Sequence, residues 1–138
     1  MILAVIDGQG GGIGKLIIEK LRKALGEKVE ILALGTNALA TSSMLKAGAN
    51  EGSSGENAIC ETTKKANMIL GPLSIVHSNS MLGEITQKTA TAILEADAEK
   101  ILLPLCRSNV TIVGFYNEPL PNLVEMMVKI VVKKYNGI

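Results

Sequence analysis

Five glycines, Gly8, Gly10, Gly11, Gly12 and Gly14, fall within seven positions of "IDGQGGGIGKLI", residues 6–17, between an apolar run and a periodic one. Glycine serves where the backbone needs positive φ, or where a ligand or neighbouring chain passes too close for a Cβ. At a strand-to-helix turn such a loop can turn several backbone N–H groups toward an anion, so the chemistry it suggests is phosphate binding. The candidate cradle is Asp7, Gly8, Gln9, Gly10, Gly11, Gly12, Ile13 and Gly14. The same glycines have a plain use, close packing of helix on strand with no ligand.

The spacing narrows the phosphate carrier. The dinucleotide fingerprint G-x-G-x-x-G fails from Gly8, where the third glycine would fall on Ile13, and from Gly10, where it would fall on Lys15. A Walker A loop fails too, because Leu16 stands where a Ser or Thr must ligand magnesium and Gln9 where the first glycine belongs. Gly8, Gly12, Ile13 and Gly14 resemble the T-G-x-x-x-G-I-G motif of the short-chain dehydrogenase/reductase superfamily, with Asp7 in place of threonine. A carboxylate there repels phosphate unless it is turned onto loop N–H groups or paired with a cation. That superfamily's Tyr-x-x-x-Lys pair is missing, since Leu120 lies four residues after Tyr116 and Tyr135 lies three from the end.

An NAD site places an acidic residue at the end of the second strand for the ribose. Here Glu30 comes too early, and Thr36 and Asn37 occupy the end, where they could bond a ribose or simply form a turn and helix cap. NAD and NADP are compatible cofactors, and neither is selected. Strand ends in a parallel sheet should also bring Gly71 and Cys106 to the same rim, with Asn79 and Arg107 nearby. The Arg107 fork suits phosphate or carboxylate, or an ion pair with Glu99 or Glu118. His77, the only histidine, cannot complete a protein-only zinc site and reads as a capped or surface residue before a general base. Glu56 and Asn57 read as helix capping, and Cys106 as a small core residue or a reactive thiol.

These residues need elements to position them. Ile2–Ile6, Val29–Leu34 and Met68–Leu70 read as buried strands, "ANEGSSG" at 49–55 as a loop, and helices are expected after each glycine loop or turn. The first helix stops at Gly26 and the second at Gly48. Two apolar runs flank "CRSN" at 106–109, which predicts a hairpin whose last strand is antiparallel, because about four residues cannot make a parallel crossover. Hydrophobic residues are 47% of the 138 and aromatics only 2%, an aliphatic core suited to a parallel sheet between helices. The expected fold is α/β: a three-layer Rossmann-like sandwich, strand order about 2-1-3-4, with an antiparallel fifth strand, over residues 1–138 as a single nucleotide-binding domain.

Lys and Arg total 14 against 13 Asp and Glu, which provides no global attraction to nucleic acid or to an anionic membrane. Two cysteines without metal-ligand spacing, no basic stretch before "ILAVI" and no long uncharged apolar segment lead us to expect a cytoplasmic protein with no bound metal. Leu120 to Val132 carries an apolar arc wider than one sheet needs, so a homodimer is expected through that helix.

Four blocks, "IDGQGGGIGK" at 6–15, "GENAI" at 55–59, "SNSMLGEIT" at 78–86 and "LLPLCRSNV" at 102–110, resemble a family of small bacterial proteins, mainly from Firmicutes, known as a domain of unknown function. The resemblance implies a standalone Rossmann-like domain without an assigned activity. The leading expectation is binding of a nucleotide or other phosphate-bearing small molecule by the glycine loop. The alternatives are a small enzyme on a phosphorylated metabolite, with Asp7 or His77 as acid-base group and Arg107 steering the anion, and a homo-oligomeric scaffold.

Overall fold

Leu3, Ala4, Val5 and Ile6 are wholly buried, as an uninterrupted apolar run requires of a strand covered on both faces. A computed structural model describes residues 1–106 and 109–137 of the chain. The run forms β1 (Ile2–Asp7), followed by α1 (Gly12–Leu25), β2 (Glu30–Gly35), α2 (Ala38–Lys46) and β3 (Glu51–Ser54). The chain continues as α3 (Glu56–Thr62), β4 (Met68–Pro72), α4 (Gln87–Glu95), β5 (Glu99–Leu103) and α5 (Leu120–Tyr135). All strand pairs are parallel, in the order β3-β2-β1-β4-β5. Because side chains alternate across a sheet, Leu3, Val5, Ile31 and Ala33 join Ile17, Leu21, Met44, Val124 and Met127 under α1, α2 and α5. Ala4, Ile6, Leu34 and Ile69 face the other way, onto Ile59 of α3 and Ile93 of α4.

The expected order 2-1-3-4 with an antiparallel fifth strand is corrected at both sheet edges. "EGSS" at 51–54, expected as loop, is an edge strand beside β2, with Leu32 opposite Glu51 and Gly35 opposite Ser54. All four residues are exposed, so no apolar alternation announces the strand. Backbone pairing and a neighbouring side chain hold it instead. Asn50 donates its N–H to Ile31 O and accepts Ile31 N–H on Oδ1, and the same Oδ1 takes Arg22 Nη2 at 2.6 Å. At the opposite edge, residues 110–115 form no strand. Phe115 donates to Ile112 O across a turn and packs on the core under α1 and α5, and among the described residues β5 pairs only with β4.

The apolar arc of α5 is mostly consumed by the sheet. Leu123, Val124, Met127, Val128 and Val131 are buried, while Met126 and Ile130 stay partly exposed. Among the described residues no helix is long and apolar enough to cross a membrane.

Candidate functional site

The chain runs outward from β1 through β2 to β3, then returns to build β4 and β5 on the other side of β1. Ligands in such sheets lie beyond the carboxyl ends of the strands, at this reversal. The glycine loop sits there, joining Asp7 to α1. Gly11 caps α1 with φ at +73°, and its N–H closes a turn on Gly8 O at 2.9 Å. Three of the five glycines are explained by crowding. A Cβ on Gly8 would come within 2.6 Å of Met81 Sδ and Thr36 Oγ1, one on Gly11 within 2.8 Å of the Ala40 backbone, and one on Gly14 would collide with Met44. Gly10 and Gly12 face open space, with nothing within 4 Å of a Cβ. Among the described residues their N–H groups have no hydrogen-bond acceptor.

Asp7 turns inward onto the loop. Its Oδ1 accepts Gly8 N–H and its Oδ2 accepts Gly14 N–H, both at 2.8 Å, and the residue is 3% exposed. Burial pushes its carboxyl above the ordinary range, the N–H groups of Gly14, Gly8 and Ile13 oppose that shift, and the charge of Glu84 adds to it. Asp7 therefore takes the N–H groups of Gly8 and Gly14, which a phosphate here could otherwise use, and leaves that of Gly12 at the start of α1 open.

Glu84, which belongs to none of the sequence's site motifs, occupies the outer side of the loop. Its Oε1 accepts Gln9 N–H at 2.7 Å, the Thr36 hydroxyl at 2.5 Å and Asn37 Nδ2 at 3.1 Å. The Thr36 hydroxyl first, then the Gln9 N–H, hold its carboxyl below the usual range. Its signal in the sequence was slight: one acid in "SNSMLGEIT", between Gly83 and the fully buried Ile85. The turn that carries it is unusual, since Met81, Leu82 and Gly83 follow one another at positive φ (55°, 56° and 88°). For each non-glycine residue this conformation costs about 1–2 kcal/mol.

The structure brings some candidates together and separates others. Thr36 and Asn37 stand at the rim on Glu84, and Asn37 also caps α2 by accepting Ala40 N–H at 2.8 Å. Asn79 is exposed, and its N–H is spent on Ile85 O at 2.7 Å. A crevice of about 260 Å³ opens between the ends of β1 and β4, lined by Gln9, Ile13, Pro72, Ser80, Met81 and Cys106 among others. His77 is not among its lining residues; its N–H closes a turn on Ser74 O. Arg107 lies outside the described residues, and Glu99, one of the partners considered for it, pairs with Lys134 at 2.8 Å. Glu56 accepts the Thr86 hydroxyl at 2.5 Å, which ties α3 to the start of α4. Among the described residues no three His, Cys, Asp or Glu side chains cluster as a metal site.

Comparison with curated proteins gives no match. Among solved structures, a universal stress protein in complex with cAMP is similar at 14% identity and a TM-score of 0.40, over 72% of this chain and 94% of that one. The family described as "Domain of unknown function (DUF3842)" matches residues 2–136, and the chain belongs to it.

Proposed function

We propose that residues 1–138 form one binding module for a small phosphate-bearing ligand, whose body lies in the β1–β4 crevice and whose anionic group meets the N–H groups of Gly10 and Gly12. The observation that carries this reading is the pair of open glycines: their N–H groups lack acceptors among the described residues, they need no space for packing, and their chain neighbours Gln9 and Ile13 line the crevice at the sheet reversal. The volume, about 260 Å³, lies below the roughly 300–1,000 Å³ of sites for drug-sized ligands. Asp7 is committed to the loop and His77 is not among the residues lining the crevice, which favours ligand binding over the enzymatic alternative.

Mass spectrometry of material released from purified protein, followed by amide NMR titration with AMP, ADP and NAD, tests the reading. Binding that moves the Gly10 and Gly12 amides supports it. Absence of binding by every phosphate-bearing compound at millimolar concentration overturns it.

A further inference from the structure

Three donors from two different strand ends converge on one oxygen. The Gln9 N–H comes from the loop after β1, while the Thr36 hydroxyl and the Asn37 amide come from the end of β2, and all three meet Glu84 Oε1. The local fold has its own bonds. Thr36 N–H binds Asp7 O at 3.1 Å, and α2 is capped by Asn37 Oδ1. The Thr36 hydroxyl and one hydrogen of the Asn37 amide, whose other hydrogen is held by Gln9 O at 3.0 Å, are thus directed at an anion that the β2–α2 turn does not itself require.

We propose that Gln9 N–H, the Thr36 hydroxyl and the Asn37 amide are an oxyanion-recognition site for the ligand, and that Glu84 is an internal competitor which fills this site until a phosphate or carboxylate displaces it. The inference rests on the crevice being the ligand site, which the same segment borders through Ser80 and Met81. The segment is fixed at both ends and free at its tip. Ser80 is buried with its hydroxyl on Ser74 O at 2.5 Å, and Ile85 is wholly buried, whereas Leu82 between them is 96% exposed. Movement of Met81–Glu84 frees the three donors, uncovers Gly8 and widens the crevice at Met81 in one step. Charge-assisted bonds from such donors are about twice as strong as neutral ones, so an incoming anion can recover what Glu84 gives up. The Asp7 carboxylate, turned onto the N–H groups of Gly8 and Gly14, opposes every anion here and sets the ligand's hold against that of Glu84.

The test compares the full-length wild type with Glu84→Ala, titrating inorganic phosphate and acetate separately while following the Gln9 backbone amide and the Asn37 side-chain amide by NMR. Glu84→Ala should bind one of the two anions about ten-fold more tightly, a change of about 1.4 kcal/mol, with both amides moving, and the anion that gains identifies the group recognised. Adding Thr36→Val should remove the gain. Equal affinity in a folded Glu84→Ala protein overturns the proposal. If that variant does not fold, Glu84→Gln keeps an acceptor but loses the charge; a smaller gain in the same direction supports the site, and no gain overturns it. The Gly10 and Gly12 amides report separately on the crevice. Their movement without a gain in Glu84→Ala overturns only the competitor, and a gain at Gln9 and Asn37 with Gly10 and Gly12 still overturns only the crevice reading.

Discussion

Asp7 Oδ2 accepts the N–H of Gly14 at 2.8 Å, so the last residue of the first strand holds the first turn of the helix seven residues later. Its other oxygen holds Gly8, and no solvent reaches the pair to take over. Asp7→Ala leaves two buried N–H groups without an acceptor, each at a cost of about 1–3 kcal/mol. Urea denaturation at neutral pH should show a loss of that order, and an unchanged midpoint would remove Asp7 from its structural role.

The two carboxylates of the loop respond to acid in opposite directions. The folded-state pKa of Asp7 is raised from its ordinary 3.8, so the proton-linked part of its contribution, separate from the two N–H bonds it accepts, is full below that value and is lost as pH rises through the folded pKa. The folded-state pKa of Glu84 is lowered from 4.5, so its contribution is present above 4.5 and is lost as pH falls through the folded pKa. Stability measured against pH should therefore show the wild type gaining on Asp7→Asn, and losing against Glu84→Gln, as the solution is acidified.

Neighbouring glycines should behave differently under one substitution. Gly14→Ala drives a methyl into buried Met44 and should cost about 1–3 kcal/mol, part of it recovered in the Gly14→Ala, Met44→Ala double variant. Gly12→Ala meets open space and should leave the melting temperature level or slightly raised. Its methyl nevertheless covers the proposed anion position, so ligand binding should fall in a protein that folds normally.

The left-handed turn provides a stability test independent of any ligand. Leu82 is 96% exposed at φ 56°, so Leu82→Gly gives up almost no packing and relieves the backbone. Thermal and urea unfolding should show it neutral or stabilised by up to about 1 kcal/mol. Leu82→Val, β-branched at positive φ, should be destabilised.

Met126 and Met127 are adjacent on α5 but face different surroundings. Met127 is 2% exposed and Met126 55%. Met127→Glu buries a charge in the α1–α5 core and should unfold the protein or lower its stability by more than about 4 kcal/mol. Met126→Glu should change stability by less than about 0.5 kcal/mol. Its sedimentation profile then reads the expected homodimer without interference from unfolding.

The sequence by itself determined the elements whose signals are local. Apolar runs marked β1, β2 and β4, glycines marked the ends of α1 and α2, and the loop at 8–14 stood out because its composition suits no regular element. Only the tertiary structure decided β3, whose exposed "EGSS" becomes a strand through pairing with β2 and not through its own side chains. It also decided the fate of residues 110–115, whose apolar side chains could have served a strand equally well until α5 offered Phe115 a place to pack. Above all it decided the charge at the glycine loop. Glu84 lies 75 residues from Gln9 in the chain, and a hydrogen bond at that separation leaves no periodicity to read, because it is set by where the folded sheet brings two strand ends together.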